Sequence, residues 1–483
     1  MRKIFLKFIL VFAIILISVI IFLSYFGLET DKFDSLIKTK ANEINKYVKI
    51  GFKNTKIYLN TTELNLVVKL QNPRILVKKN EIILSKLDFY LPLRSFLTSD
   101  FLIKRAEVAF VKNDIKDLTK ITNIFLPKII NKRLSKIFHK GNLEGEFIIP
   151  FEPDGSIGKD YGFSGQISDA SINFTKKYSI NNLTSEISHS KNNNNDEFKI
   201  VVKSGSIFDL ELTDSIINLD REKGESKIKS VLRTKGKLKF NQIKKISTLL
   251  SIDINNLKDI NGKVDLKTNI NFDLEEKFRV KNLSSSIEGD IEYLEISTKE
   301  IKTIKKYLPK FDSKIILKDT KIKFTNSKIN HKTNLNGFIK ADEYFDNFEI
   351  EEIYNYKDRS FDINGIVNLT NNEINISRLN FNKDKGKKSK LIFDLNFVIK
   401  KYFKINNLNL LADKSKINLS YVDLNSKYQI KDFKKIEVIT HKNKIKNNDF
   451  LVNNLKKINM TGEIFDAQPL LKSLYKKNEK KNI

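Results

Sequence analysis

The chain has 483 residues, a formal charge of +29 and no cysteine. Disulfide frameworks, zinc–thiolate centres and cysteine nucleophiles are thereby excluded. Hydrophobic residues at 40% and charged residues at 30% give it enough apolar material to fold, so disorder is not the default.

The basic excess is mostly lysine and comes with many Asn and Ile, only 17 Gly and 7 Pro, and no Trp. That is the residue usage of an AT-rich genome. Lysine is interleaved with Asp and Glu along the whole chain instead of gathering on one face or tail, so nucleic acid is not an expected partner.

In chain order, Phe8 to Gly27 comes first and carries no charge. As a helix it is roughly 30 Å long, enough to cross a hydrocarbon core. Arg2, Lys3 and Lys7 precede it, which keeps the N-terminus cytoplasmic and places the remainder across the inner membrane. The exit "SYFGLETDKF" offers no small-residue cleavage site, which favours an uncleaved anchor over a signal peptide. Residues 1–28 are thus read as a cytoplasmic stub and transmembrane anchor.

Residues 29–48 read as a juxtamembrane helix. Phe33, Leu36, Ile37, Ala41, Ile44 and Tyr47 recur at helical spacing, with Thr30 and Asp31 as N-cap candidates. Two placements stay open: a cap on the start of a β domain, or a helix lying on the membrane surface.

Residues 49–465 read as a β domain, because the dominant period is two. Leu64, Leu66, Val68 and Leu70 share one face. So do Val264, Leu266, Thr268, Ile270, Phe272 and Leu274. Leu391, Phe393, Leu395 and Phe397 form another such set, and Ile417, Leu419 and Tyr421 a fourth. Each is a half-buried strand, apolar on one side and wet on the other. Asn261-Gly262, Asn336-Gly337 and Asn364-Gly365 read as turns or as strand starts. Helical pattern is confined to Asn113–Phe138, Asn241–Ile252 and Ser297–Leu308. Ser190–Asp196 and Asn382–Lys390 read as solvated loops.

At about fifteen residues per strand and turn the body holds somewhat under thirty strands, a sheet of order 100 Å at about 4.8 Å each. Open sheets rarely exceed about ten strands before they curl or split. The fold class is therefore mainly β: a long curved antiparallel sheet forming a groove, or two in series, with an N-terminal transmembrane helix and a few capping helices.

No catalytic constellation is present, and an enzyme is the last reading. His139, His189, His331 and His441 stand far apart in Lys/Asn-rich settings and read as solvated loop residues. Glu351-Glu352 and Glu275-Glu276 are adjacent, so on strands they point to opposite faces and make poor acid–base pairs. No cofactor or metal site is expected.

Three features carry a resemblance. They are the anchor with "GLETDKFDSLIKTKANEI", the block "KIYLNTTELNLVVKLQNPRIL" with "LSKLDFYLPLRSFLTSDFLIKRAEVAFVKNDIKDL", and the terminal "GEIFDAQPLL". In these the chain resembles the AsmA-like family of Gram-negative envelope proteins, with its YhdP-like and TamB-like relatives. The resemblance implies a repeating β-groove fold, a periplasmic location and a role in moving phospholipid between the two membranes, which supports outer-membrane biogenesis. It supplies no catalytic residue.

The groove candidates are Leu64, Leu66, Val68, Leu70, Val264, Leu266, Ile270, Phe272, Leu391, Phe393, Leu395 and Phe397. The expected partners are phospholipid, the inner membrane, and outer-membrane or envelope proteins. The alternatives are an envelope assembly scaffold that carries no lipid and a polyanion-binding surface protein. In the tail, 466–483, Asp466 reads as the cap of a short helix bearing Leu470, Leu471 and Leu474, with a Lys-rich end.

Overall fold

The computed structural model describes residues 2–44, 47–77, 80–94, 102–122, 138–156, 158–173, 178–192, 195–222, 225–250, 254, 257–275, 280–298, 305–311, 313–399, 401–425 and 429–472. The protein is mainly β. Twenty-five strands belong to one antiparallel sheet. Among the described residues its end strands each have a single partner, so it is not a closed barrel.

Helix α1 (Arg2–Tyr25) carries Phe5–Tyr25, 21 residues of mean hydropathy 3.1 with none of that span buried in the protein. It is long and apolar enough to cross a membrane once.

Beyond it the chain forms two compact units, Met1–Ser230 with Asp273–Lys281, and Val231–Phe272 with Asn282–Ile483. The first unit contains β1 (Leu28–Thr30), α2 (Asp34–Ile44), β2 (Val48–Gly51), β3 (Thr55–Asn60), β4 (Asn65–Leu70), β5 (Arg74–Val77) and β6 (Asn80–Pro92). They are followed by β7 (Arg105–Asp114), α3 (Ile115–Thr122), β8 (Phe138–Pro150), β9 (Gly162–Asn173), β10 (Ser179–Asn192), β11 (Asn195–Ile207) and β12 (Leu210–Glu222). From β6 onward each strand pairs with the next. β6 takes β5 along its first residues and β4 along its last.

Residues 28–30 are a strand, not a helix start, because they pair with β3; the helix begins at Asp34, whose Oδ1 accepts from Thr55 Oγ1 at 2.6 Å. Ile37 of α2 packs with Ile57, Val68, Leu70, Leu87, Leu91 and Phe110. The helix therefore caps the apolar face of the first strands. On the opposite face Glu107 accepts from Lys86 Nζ at 2.5 Å, Tyr90 Oη at 3.0 Å and Arg105 Nε at 3.0 Å. The cost of burial raises the Glu107 carboxyl, but bonds from Lys86 and Tyr90 outweigh it and hold the group low.

β13 (Glu225–Lys239), α4 (Phe240–Leu250), β14 (Leu257–Leu274) and β15 (Val280–Thr298) follow. The helix expected at Asn241–Ile252 is α4. Of that expected at Asn113–Phe138, α3 is seen and 123–137 lies outside the described residues. Of the helix expected at Ser297–Leu308, Ser297 and Thr298 belong to β15, with Thr298 N donating to Ser313 O at 2.9 Å, and 299–304 lies outside the described residues.

In the second unit β16 (Lys314–Asn326), β17 (Asn330–Lys340), β18 (Asp346–Asn355) and β19 (Ser360–Asn368) form a meander. β22 (Ser389–Val398), β23 (Tyr402–Ala412), β24 (Ser415–Leu424), β25 (Ile430–Lys442), β26 (Ile445–Asn454) and β27 (Ile458–Ile464) continue it. Between β19 and β22 a small insert, β20 (Ile374–Ile376) paired with β21 (Phe381–Lys383), stands off the sheet.

The three Asn-Gly pairs are neither turns nor strand starts; they lie inside β14, β17 and β19. At Gly365 an added Cβ would sit 2.9 Å from the Phe393 ring and 2.7 Å from Glu349 O. Glycine is there so that a neighbouring ring can lie on the backbone. Residues 190–192 and 195–196 extend the hairpin of β10 and β11.

Candidate apolar binding face

Alternation along β16–β26 and the strand registers divide the second unit's sheet into a wet face and an apolar face. On the wet face cross-strand ion pairs recur, including Lys332–Glu351 at 2.6 Å and Lys416–Glu437 at 3.1 Å. Lysine excess is partly absorbed there.

The apolar face is built in rows of cross-strand partners. The first row runs His331–Tyr354–Phe361–Phe397–Phe403. Its rings touch in sequence: His331–Tyr354 at 5.2 Å, Tyr354–Phe361 at 4.6 Å, Phe361–Phe397 at 5.1 Å and Phe397–Phe403 at 5.3 Å between centroids. The second runs Thr333–Glu352–Ile363–Leu395–Ile405–Val422. The third continues from Ile350 and Gly365 through Phe393, Leu408, Leu419, Ile436 and Val452. From Phe393 to Val452 it stays half-buried across five strands. Four inter-strand steps of about 4.8 Å make that row about 19 Å long. A single leaflet of a hydrocarbon core is about 15 Å deep.

The far end of the face is closed. Ile374 and Phe381 of the insert pack on Leu410, Ala412, Ile417, Val438 and Phe450. The insert is held by Lys383, 2% exposed, whose Nζ donates to Leu369 O, Thr370 O and Asn372 O at 2.5, 2.9 and 2.6 Å. Burial pushes the Lys383 ammonium down to about 8, against the field of Asp346. Asp346 in turn accepts from Asn371 N and Asn372 Nδ2 at 3.0 and 2.9 Å. Lys383 was expected in a solvated loop. The loop is real at 384–388, but residue 383 ends β21 and is buried.

The three rows just named carry no lysine or arginine, in a chain with 87 of them, and Lys442, at the covered end of the face, donates to Asn380 Oδ1 of the insert at 2.9 Å. Their carboxylate is Glu352; Asp346 is taken by the insert. Glu352 accepts from Thr333 Oγ1 at 2.8 Å and sits 3.3 Å from His331 Nε2.

The sequence-derived candidates distribute unevenly. Leu391, Phe393, Leu395 and Phe397 share the apolar face of β22 as the period suggests. Val264, Leu266, Ile270 and Phe272 lie on one face of β14, with Val264 buried and the others half-buried. Val68 and Leu70 are in the closed core under α2, with Leu66 packed against it. Leu64 is not on their face: it takes φ 52° in the turn before β4 and is 65% exposed. Tyr421 likewise leaves the Ile417 and Leu419 face at φ 52°, and buried Val422 takes its place.

All four histidines are on strands, not in loops. His189 lies between Tyr161 and Phe198, tilted by 44° and 48° to their rings, with Nε2 2.6 Å from Asp196 Oδ1. The aromatic row escaped the sequence reading apart from Phe397. Its signal was local: Tyr354 and Phe361, and Phe397 and Phe403, flank short turns symmetrically and so meet across hairpins.

In the tail, Asp466 Oδ1 accepts from Gln468 N at 3.1 Å, the expected cap, and Oδ2 accepts from Asn380 Nδ2 at 2.7 Å. The cap is thus also tied to the insert.

No protein-family model, curated protein or solved structure matches the chain.

Proposed function

We propose that this chain is an inner-membrane-anchored periplasmic protein of the AsmA-like kind. It holds phospholipid acyl chains on an apolar sheet face and so supports their passage toward the outer membrane. The observation that carries the reading is the half-buried row from Phe393 to Val452, which itself holds no basic residue. A two-chain lipid in water exposes about thirty CH₂ groups at about 0.8 kcal/mol each, a penalty of more than roughly 20 kcal/mol. A row of Leu, Ile and Phe removes most of that penalty with no chemical step, and the span Phe5–Tyr25 supplies a tether at the donor membrane.

The test places a photo-crosslinking amino acid at Leu395, on the apolar face, or at Asn396, on the wet one, in cells. Phospholipid adducts at 395 and none at 396 are expected. Equal labelling at both positions, or no lipid at 395, overturns the reading.

A second reading, an assembly scaffold without lipid, draws on β27, every residue of which is exposed. Such an edge, with Ile458 and Met460 outward, is a template for another strand. It is the reading left standing if 395 captures protein and no lipid.

A further inference from the structure

Glu352 is out of place on the apolar face. Its neighbours in sequence and register are Ile350, Tyr354 and Ile363, and its only ion-pair partner among the described residues is His331. Each carboxylate oxygen takes one hydrogen bond, which leaves acceptor capacity on both. An aromatic cluster lies beside it: His331, 3.3 Å from its carboxylate, and Tyr354, two residues on, lie 5.7 and 5.6 Å from Tyr356 at 62° and 75°. Tyr356 Oη is fixed by donation to Asn326 Oδ1 at 2.5 Å. A partly buried carboxylate beside steeply inclined aromatic rings is the chemistry that recognises an organic ammonium, through charge and through the ring quadrupole. The scarcity of basic residues points the same way. A face meant for an anionic headgroup would have drawn on the abundant lysines, yet the rows around Glu352 hold none, and Lys442 at the covered end is engaged by Asn380 of the insert.

We propose that Glu352, with Tyr354 and Tyr356, seats the ammonium headgroup of an amine-bearing phospholipid whose chains lie on the apolar rows beside it. This rests on the lipid-holding function above and adds headgroup selection to it. Ile363 is the cross-strand partner of Glu352, so a chain leaving the seat passes over Ile363 and Leu395 toward Phe393.

The test uses the full-length chain in non-ionic detergent, carrying the photo-crosslinker at Ile363 so that annular lipid around α1 is not counted. It is offered equimolar phosphatidylethanolamine and phosphatidylglycerol with identical acyl chains, and adducts are quantified by mass spectrometry. The expected result is about fivefold more ethanolamine adduct, the size of one partly screened ammonium–carboxylate pair. Glu352→Gln should bring the ratio to about one with total adduct unchanged, and Glu352→Lys should reverse it. Glu351→Gln, on the wet face, should leave it as it was. An even ratio in the parent chain, or a preference that survives Glu352→Gln, overturns the headgroup seat while leaving acyl binding intact. The absence of any adduct overturns both readings.

Discussion

At the scale of single residues, Lys383 shows how a sequence of abundant lysines conceals a special one. Its three N–H donors reach three carbonyls of the insert; Leu369 O and Thr370 O also accept from Asn372 N and Gly386 N, so Asn372 O depends on the lysine most. Lys383→Met should cost about 2 kcal/mol in denaturant unfolding, because three charge-assisted bonds are lost and Asn372 O loses its donor while the stem volume is kept. The pH dependence has a defined sign. The folded value of about 8 lies below the unfolded value of 10.5, so the unfolded chain binds more protons between them. Stability should rise with pH across that window, and Lys383→Met should flatten the rise. Nothing in "NKDKGKKSK" distinguishes residue 383 from its neighbours, because burial is decided by residues 346 and 369–372, which are remote in sequence or held by the insert's own fold. Leu64 and Tyr421 escaped the period-two reading for a different reason. A left-handed residue shifts the alternation by one, and neither Leu nor Tyr announces that conformation.

At the scale of elements, α2 takes the first of the two placements its amphipathic pattern allowed, a cap on the β domain, which does not exclude the second. Ile37 is 5% exposed in a core shared with β3, β4, β6 and β7, so the helix is part of the fold and closes one end of an apolar face. Ile37→Ala should therefore destabilise the first unit by about 3 kcal/mol, measured by denaturant unfolding of the full-length chain in detergent. A helix merely resting on a membrane would show no such loss. The strands were largely legible, since half-burial forces alternation and β22 reads as it folds. The Asn-Gly pairs were not, because the same dipeptide that suits a tight turn also suits a strand over which a ring must lie, as Phe393 does over Gly365. The insert was invisible because β20 and β21 are three residues each, too short to show a period.

At the scale of the whole molecule, charge and apolar surface are segregated. Cross-strand pairs such as Lys267–Glu288 and Lys332–Glu351 hold basic residues on wet faces, and the apolar row from Phe393 to Val452 holds none. Lipid captured at Leu395 should accordingly be insensitive to salt between 50 and 500 mM, roughly, since apolar burial is not screened, whereas binding to a polyanion would weaken steeply. The sequence by itself determined the N-terminal apolar helix long enough to cross a membrane, the strand-dominated fold and the existence of apolar faces. These follow from local quantities, namely run length and side-chain period. Only the tertiary structure decided which apolar faces are covered and which stay half-open. It put α2 over Val68 and the insert over Ile417, left the row from Phe393 to Val452 half-buried, and brought Glu352 among aromatic rings. Coverage depends on which distant segment packs against a face, and a period of two is the same under a helix, under a lipid or under nothing.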